Sequence, residues 1–295
     1  MTLFATIILF GVYTSALLAI GSVGFSMQFG VTNVLNLAYG SILTSCIFVE
    51  YWITGHSSNV WLAMLVGALA GAVISFVIGH LLIGAFLSRG ASGFSIAMVT
   101  IGIALMIEFT LEAIQGPYID AFASNASSAV TISGVSLSSE QIVAVGIAAV
   151  AMVAVHLLLR LTKLGLAMRA TADDATLARS SGISQARTRA AAWMLSGALC
   201  GICGVLLGLD EGSFSSSTGD AVFVTIAAAA VVGGIGKAYG AMVGALLVGL
   251  VSEGSAAIIS PAYKSIAAWV LLIAVLMVRP QGIFAEYASR RELVA

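Results

Sequence analysis

Charge is what this chain has least of. Asp, Glu, Lys and Arg make up 8% of its 295 residues, hydrophobic residues make up 60%, and the mean hydropathy is +1.09. A soluble globular domain carries roughly 25% charged residues. The composition therefore excludes one and reads as a membrane chain of several spans. A net charge of -1 excludes nucleic acid as a partner. Three prolines and thirty-two glycines fit long helices packed closely through small residues. The three cysteines, Cys46, Cys200 and Cys203, all lie in apolar runs. Cys200 and Cys203 form a C-x-x-C, but no second thiol pair or histidine cluster completes a site. The pair reads as two small apolar residues packed inside a helix. No G-x-x-x-x-G-K-[ST] pattern occurs, so hydrolysis of a nucleotide by this chain is not expected. The N-terminus lacks a basic region and a small-residue cleavage site, and is expected to be a first span rather than a removed signal.

What is present is a set of apolar runs, at about 3–29, 31–53, 60–87, 94–114, 140–161, 190–209, 221–233, 240–259 and 263–279. The fold class is all-α: a helical bundle of about eight membrane spans in a single domain, 1–295. The first two runs are separated only by Gly30, and are either two helices or one span followed by a broken one. Run 221–233 is short for a hydrocarbon core of about 30 Å, so its end is expected to bend within protein.

The little charge there is gathers in one place. Six of the twelve Lys and Arg residues (Arg160, Lys163, Arg169, Arg179, Arg187 and Arg189) lie between 160 and 189. Placing that stretch and the C-terminus in the cytoplasm also puts Arg89, Lys237, Arg279, Arg290 and Arg291 inside. Glu50, Asp120, Glu140, Asp210, Glu211 and Asp220 then fall outside, as the positive-inside rule requires. This arrangement puts the N-terminus outside and makes 115–139 an external loop. Within 162–189, Asp173 or Asp174 is placed to cap a short helix that includes Leu177, and Gly182 is placed to end it. Such a helix is either a solvated loop helix or one that docks in a partner's groove.

The stretch MRATADDATLARSSGI resembles the cytoplasmic coupling segment of permeases in bacterial ABC importers of the branched-chain amino-acid type. LSGALCGICGVLLGL resembles that family's small-residue helix, and GVTNVLNLAYGS its early signature. TIGIALMIEFTLEAIQGP, VVGGIGKAYGAMVGALLVGLVSE and VRPQGIF resemble further blocks in the same order. The resemblance covers essentially the whole chain. Its loop departs from the family group's Glu-Ala-Ala text; Tyr39 stands where many relatives carry His, and Glu108 where an amide is expected.

The resemblance implies a bacterial inner-membrane permease subunit that pairs with a homologous permease or a second copy of itself. Two cytosolic ATPases, an extracytoplasmic solute-binding protein and membrane lipid complete the partners. It implies no cofactor on this chain, with ATP and Mg on the ATPases, and no enzymatic step. The implied substrates are leucine, isoleucine or valine; urea, amides and other amino acids are the alternatives. An ion-coupled secondary transporter using Glu108 as a titrating group is a reading from another class. ATPase coupling falls to Arg169, Asp173, Asp174, Leu177, Arg179 and Gly182.

Polar residues inside the apolar runs are few. Asn33, Asn36, Tyr39 and Glu108 are the candidates for a substrate path. Asn36 and Tyr39 are three apart and able to share a helix face, and Gly30 and Gly40 flank a possible break. The alternative for the asparagines is hydrogen bonding between neighbouring helices. Glu108 lines the path or is a structural acid; Glu112, one turn on, sits near the outer boundary. Lys237-Ala-Tyr-Gly240 echoes Leu37-Ala-Tyr-Gly40, too short a match to establish a repeat.

Overall fold

A computed structural model describes residues 2–54, 60–116, 119–121, 129–132 and 135–284. His56, Arg290 and Arg291 lie outside the described residues. The helices are α1 Thr2–Thr32, α2 Tyr39–Thr54, α3 Val60–Phe76, α4 Gly84–Ser88, α5 Gly93–Gln115, α6 Ser139–Leu161, α7 Lys163–Asp173, α8 Ala175–Ser180, α9 Gln185–Glu211, α10 Thr218–Gly233, α11 Ala238–Ile258 and α12 Lys264–Val278. A π-helical stretch, Val77–Ile83, joins α3 to α4. Among the described residues, seven helical segments are long and apolar enough to cross a membrane. α2 and α10 are shorter, at 16 residues each. At 1.5 Å per residue, 16 residues cover about 24 Å, less than a hydrocarbon core of about 30 Å.

Two small strand pairs complete the chain. β1 Asp120–Ala121 pairs antiparallel with β4 Ser213–Phe214, and β2 Ala129–Ile132 with β3 Val135–Ser138. The expected loop 115–139 thus holds a hairpin. Side chains cap the starts of α5 and α6. The Ser92 hydroxyl accepts from the Ser95 amide, and Ser138 with Gln141 forms a reciprocal box at the head of α6.

The direction of the chain alternates around a central α9. α1 runs antiparallel to it, with Gln28 against Ser196 and Leu17 against Cys203. α3 does the same, with Ser75 donating to the Trp193 carbonyl at 2.7 Å. α11 packs antiparallel against both α1 and α10, and Lys264 at the head of α12 pairs with Glu253 at 2.6 Å. α7, α8, the end of α1 and the end of α12 consequently share one face of the bundle.

Small residues set these contacts. A Cβ on Gly71 would fall on the Gly197 carbonyl, one on Gly197 on the Gly71 carbonyl, and one on Gly201 on the Gly67 carbonyl. The α3–α9 backbones therefore approach as closely as backbones can, as helices do where no water drives them together. Cys200 and Cys203 are buried on the same helix and unoxidised, close to the carbonyls of Tyr39 and Leu17. They pack as small side chains.

One boundary differs from the sequence reading. α1 continues through Gly30 to Thr32, and the interruption lies at 33–38. Gly30 is retained for proximity: a Cβ there would strike the backbone of Gly236. Replacing Gly197 by Leu is expected to lower folded yield and thermal stability in detergent, with an overpacking cost of at least about 1–3 kcal/mol. Gly146→Leu, where a Cβ meets nothing within 4 Å, is the matched control. Equal stability of the two variants, read by thermal unfolding and monodispersity, would contradict the packing described.

Candidate functional site

The residues between α1 and α2 cannot continue a helix. Asn33 has a left-handed backbone, φ 52°, a conformation asparagine tolerates better than most residues. The Asn36 side-chain oxygen accepts from the Ala38 amide at 3.2 Å, an Asx turn that redirects the chain into α2. Backbone groups freed by a break within the membrane need partners. Thr100 of α5 supplies them: its hydroxyl accepts from the Leu37 amide at 3.3 Å and lies 3.4 Å from the Leu35 carbonyl.

The second half-helix meets the first here. α10 runs antiparallel to α2, with Phe214 stacked edge-on against Phe48 and Tyr51, and Phe223 beside Tyr39. The first turns of the two helices overlap. The Thr44 hydroxyl accepts from the Gly219 amide at 3.0 Å and lies 3.2 Å from the Gly40 carbonyl, to which it donates. The Ser41 hydroxyl donates to the Asp220 carboxylate, at 3.2 and 3.3 Å from its two oxygens. A Cβ on Gly40 would meet Asp220, and one on Gly219 would fall on the Gly40 carbonyl, so only glycine permits the crossing.

The electrostatics follow from this geometry. Two helix N-termini, each carrying about half a positive charge, converge on one place. Asp220 stands in the first turn of α10 and against the first turn of α2, where a carboxylate is favoured. Glu108, half-buried on α5, is an electrostatic neighbour of Asp220. Asp220 thus stands at the meeting of two helix N-termini, with Glu108 of α5 within electrostatic range of it. Close by, Gln28 accepts from Ser196 at 3.0 Å, while its Nε2 and the Nδ2 of Asn36 are buried donors without a partner.

The sequence-expected residues separate in this frame. Asn36 lies just before the crossing, and Glu108 lies on α5 within electrostatic range of Asp220. Asn33 is exposed at the end of α1. Tyr39 is buried: its hydroxyl donates to the Gly21 carbonyl at 3.0 Å, and its ring packs between Phe25 and Phe223. Asn36 precedes α2 and Tyr39 begins it, so the two do not share a helix face. Glu112 is partly exposed one turn beyond Glu108. Asp220 was not anticipated here, because it precedes the apolar run at 221–233 and counted among the outer acids. The available signal was an acid three residues into an apolar helix.

The basic stretch folds as two helices. The Thr162 hydroxyl accepts from the Gly165 amide at 3.0 Å to start α7, and Gly165 lies against the α6 backbone at Leu158 and Leu159. Met168 and Thr171 anchor α7. Asp174 then caps α8, accepting from the Thr176 amide at 2.7 Å and the Leu177 amide at 2.9 Å. Gly182, with φ 84°, closes it. Of the expected side chains, Arg169, Asp173, Asp174, Leu177 and Arg179 are all exposed, Leu177 by 65%. The Gln185 side-chain amide donates to the Ala175 carbonyl and ties α8 to the foot of α9. No grouping of metal-ligating side chains occurs among the described residues.

Residues 7–276 match the family model described as branched-chain amino acid transport system / permease component. The high-affinity branched-chain amino acid transport permease protein LivH of Escherichia coli K12 is 29% identical over 285 residues, covering 92% of both chains. The probable LivH of Methanocaldococcus jannaschii is 27% identical over 285 residues, covering 91% of this chain and 89% of its own. BraD of Pseudomonas aeruginosa is 27% identical over 288 residues, covering 92% and 93%. No solved structure matches. With its long apolar helices and a family match over nearly its whole length, the chain belongs to the permease components of branched-chain amino acid transport systems, and is a multi-pass membrane transport subunit rather than an enzyme.

Proposed function

We propose that this chain is the membrane path of an ATP-driven importer of amino acids, branched-chain ones first. In this reading the solute passes the α2–α10 crossing. The observation that carries it is Asp220 set against the N-termini of two short helices inside a membrane bundle, bonded to Ser41, with Glu108 in electrostatic range on α5. A zwitterionic amino acid presents one group of each sign. Its ammonium suits the two carboxylates, and its carboxylate suits the helix N-termini and the free donor of Asn36. The same arrangement favours an amino acid over urea or an amide, neither of which carries charge.

The family implies ATPase and solute-binding partners in general. We assign the ATPase contact to α7 and α8, and the cytoplasm to their side of the bundle, on the strength of the basic residues gathered there. ATP and Mg are then held by two ATPase subunits, and a second permease, homologous or identical, completes the membrane part. Leu177 is the apolar knob on an otherwise polar helix surface and suits a groove on the ATPase. A push on α8 reaches α9 through Gln185 and Ala175. α9 is a rigid rod of 27 residues, and it carries Ser196 to Gln28 and Cys200 to the Tyr39 carbonyl. The coupling helix is thus joined to the break between α1 and α2 by one helix and three polar contacts. Alternating access needs two arrangements of that break, selected by the nucleotide state of the ATPases.

Leu177→Asp, at an exposed position, is expected to cut ATPase co-purification at least tenfold while leaving the permease monodisperse. Unchanged co-purification would contradict the coupling assignment. Asp220→Asn keeps the shape and removes the charge. It is expected to reduce amino-acid uptake into proteoliposomes at least tenfold, about 1.4 kcal/mol or more, with ATPase association intact. Wild-type uptake in that variant would contradict the path.

A further inference from the structure

The π-helical stretch Val77–Ile83 takes no part in the crossing or in the coupling helices. Such stretches widen a helix and often mark functional places. Here the Trp193 ring of α9 lies against Gly79, where a Cβ would collide with the indole, and His80 stacks on Phe76 with ring centroids 5.1 Å apart. Between the π stretch, the end of α1 and the foot of α9 lies a cavity of about 350 Å³, lined by Thr32, His80, Leu87, Ala186, Arg189 and Trp193. The Thr32 hydroxyl is already engaged, donating to the Gln28 carbonyl and accepting from the Val34 amide. Arg189 is not: its Nε is buried without a partner, and it forms no ion pair among the described residues. The three chain segments that line the cavity contribute no carboxylate either, since residues 1–49, 60–92 and 185–209 contain neither Asp nor Glu. A cation with a buried, unmatched donor and no acid on any lining segment calls for an anion from outside the chain.

The surroundings say which anion. Arg189 sits one turn into a membrane helix, and Arg89 ends α4 on the same side. The π stretch and α4 expose Leu81 by 60%, Leu82 by 43% and Phe86 by 38% next to the cavity. An anion with apolar chains attached fits both parts. We infer that this cavity binds the phosphate headgroup of an anionic phospholipid, with Arg189 as its principal cation and His80 beside it, and the acyl chains along Leu81, Leu82 and Phe86. Basic pockets between helices at the cytoplasmic face take such headgroups. The naming of the leaflet rests on the proposed orientation; binding does not, because inverting the bundle keeps the cavity at an interface. The site is one turn from Gln185, so a bound headgroup holds the foot of the helix that carries α8.

Native mass spectrometry of the full-length chain in detergent, titrated with dioleoylphosphatidylglycerol or dioleoylphosphatidylethanolamine, tests this. Wild type is expected to retain one phosphatidylglycerol at about tenfold lower concentration than phosphatidylethanolamine, the scale of a charge-assisted hydrogen bond. Arg189→Gln is expected to abolish that preference and Arg189→Lys to keep part of it. Arg160→Gln, an exposed arginine outside the cavity, should leave it unchanged. No preference in wild type, an undiminished preference in a monodisperse Arg189→Gln, or displacement of the lipid by millimolar inorganic phosphate would each overturn the inference; the last would identify a soluble anion site. Should Arg189→Gln fail to fold, His80→Ala is the second variant, expected to weaken the preference, and no change there would count against the inference. Cysteine accessibility from each side reads the orientation separately.

Discussion

Two glycines in backbone contact hold the centre of this molecule together. Gly40 and Gly219 let the first turns of α2 and α10 pass each other without side chains between them. Neither helix is long enough to span a bilayer alone, so each has an end that would leave backbone groups bare in hydrocarbon. The crossing resolves both at once. Thr44 satisfies the head of α10, Thr100 satisfies the strand of chain leading into α2, and Ser41 with Asp220 joins the two. The polar machinery needed to end two helices inside a membrane is also what would give the proposed path its charge. A single arrangement therefore answers the structural need and supplies the groups suited to a zwitterion.

The surrounding helices follow from the same requirement. Gly67, Gly71, Gly197 and Gly201 press α3 onto α9, and Gly233, Gly240 and Gly244 press α10 onto α11. These contacts hold the half-helices in place by packing, since neither is anchored by two aqueous ends. In the proposed coupling, α9 is the line that carries displacement from Gln185 to Cys200. The Arg189 cavity lies on that line, near its lower end, where the π stretch interrupts close packing and leaves space.

Much of this was legible in the sequence, for identifiable reasons. The short helix α8 was legible because Asp174 and Gly182 are cap and stop, which act through local hydrogen bonds and backbone freedom. The broken segment was legible as Asn-rich text between apolar runs. Its position was misplaced, because Gly30 looked like a breaker and is in fact a contact with Gly236. α7 was missed, since its anchors Met168 and Thr171 mean little until α6 is in place beneath them. The place of Asp220 at the crossing was not legible because it depends on where α10 begins, and that start is bonded to Thr44, remote in sequence. Tyr39 was read as lining a path; its environment is set by Phe25 and Phe223, both remote in sequence. Local signals survive in one dimension, and depth and facing do not.

The central claim is that solute passes between the first turns of α2 and α10. Substituted-cysteine accessibility at Ser41→Cys, in a background lacking Cys46, Cys200 and Cys203, tests it most directly. The transporter is reconstituted with its ATPases and binding protein and exposed to a membrane-impermeant, hydrophilic thiol reagent in each nucleotide state. Ser41 is fully buried in the present arrangement. The account predicts labelling in one nucleotide state, closure in another, and protection by the transported amino acid. A cysteine that stays unlabelled in every state, or labels equally in all of them without protection, would contradict it.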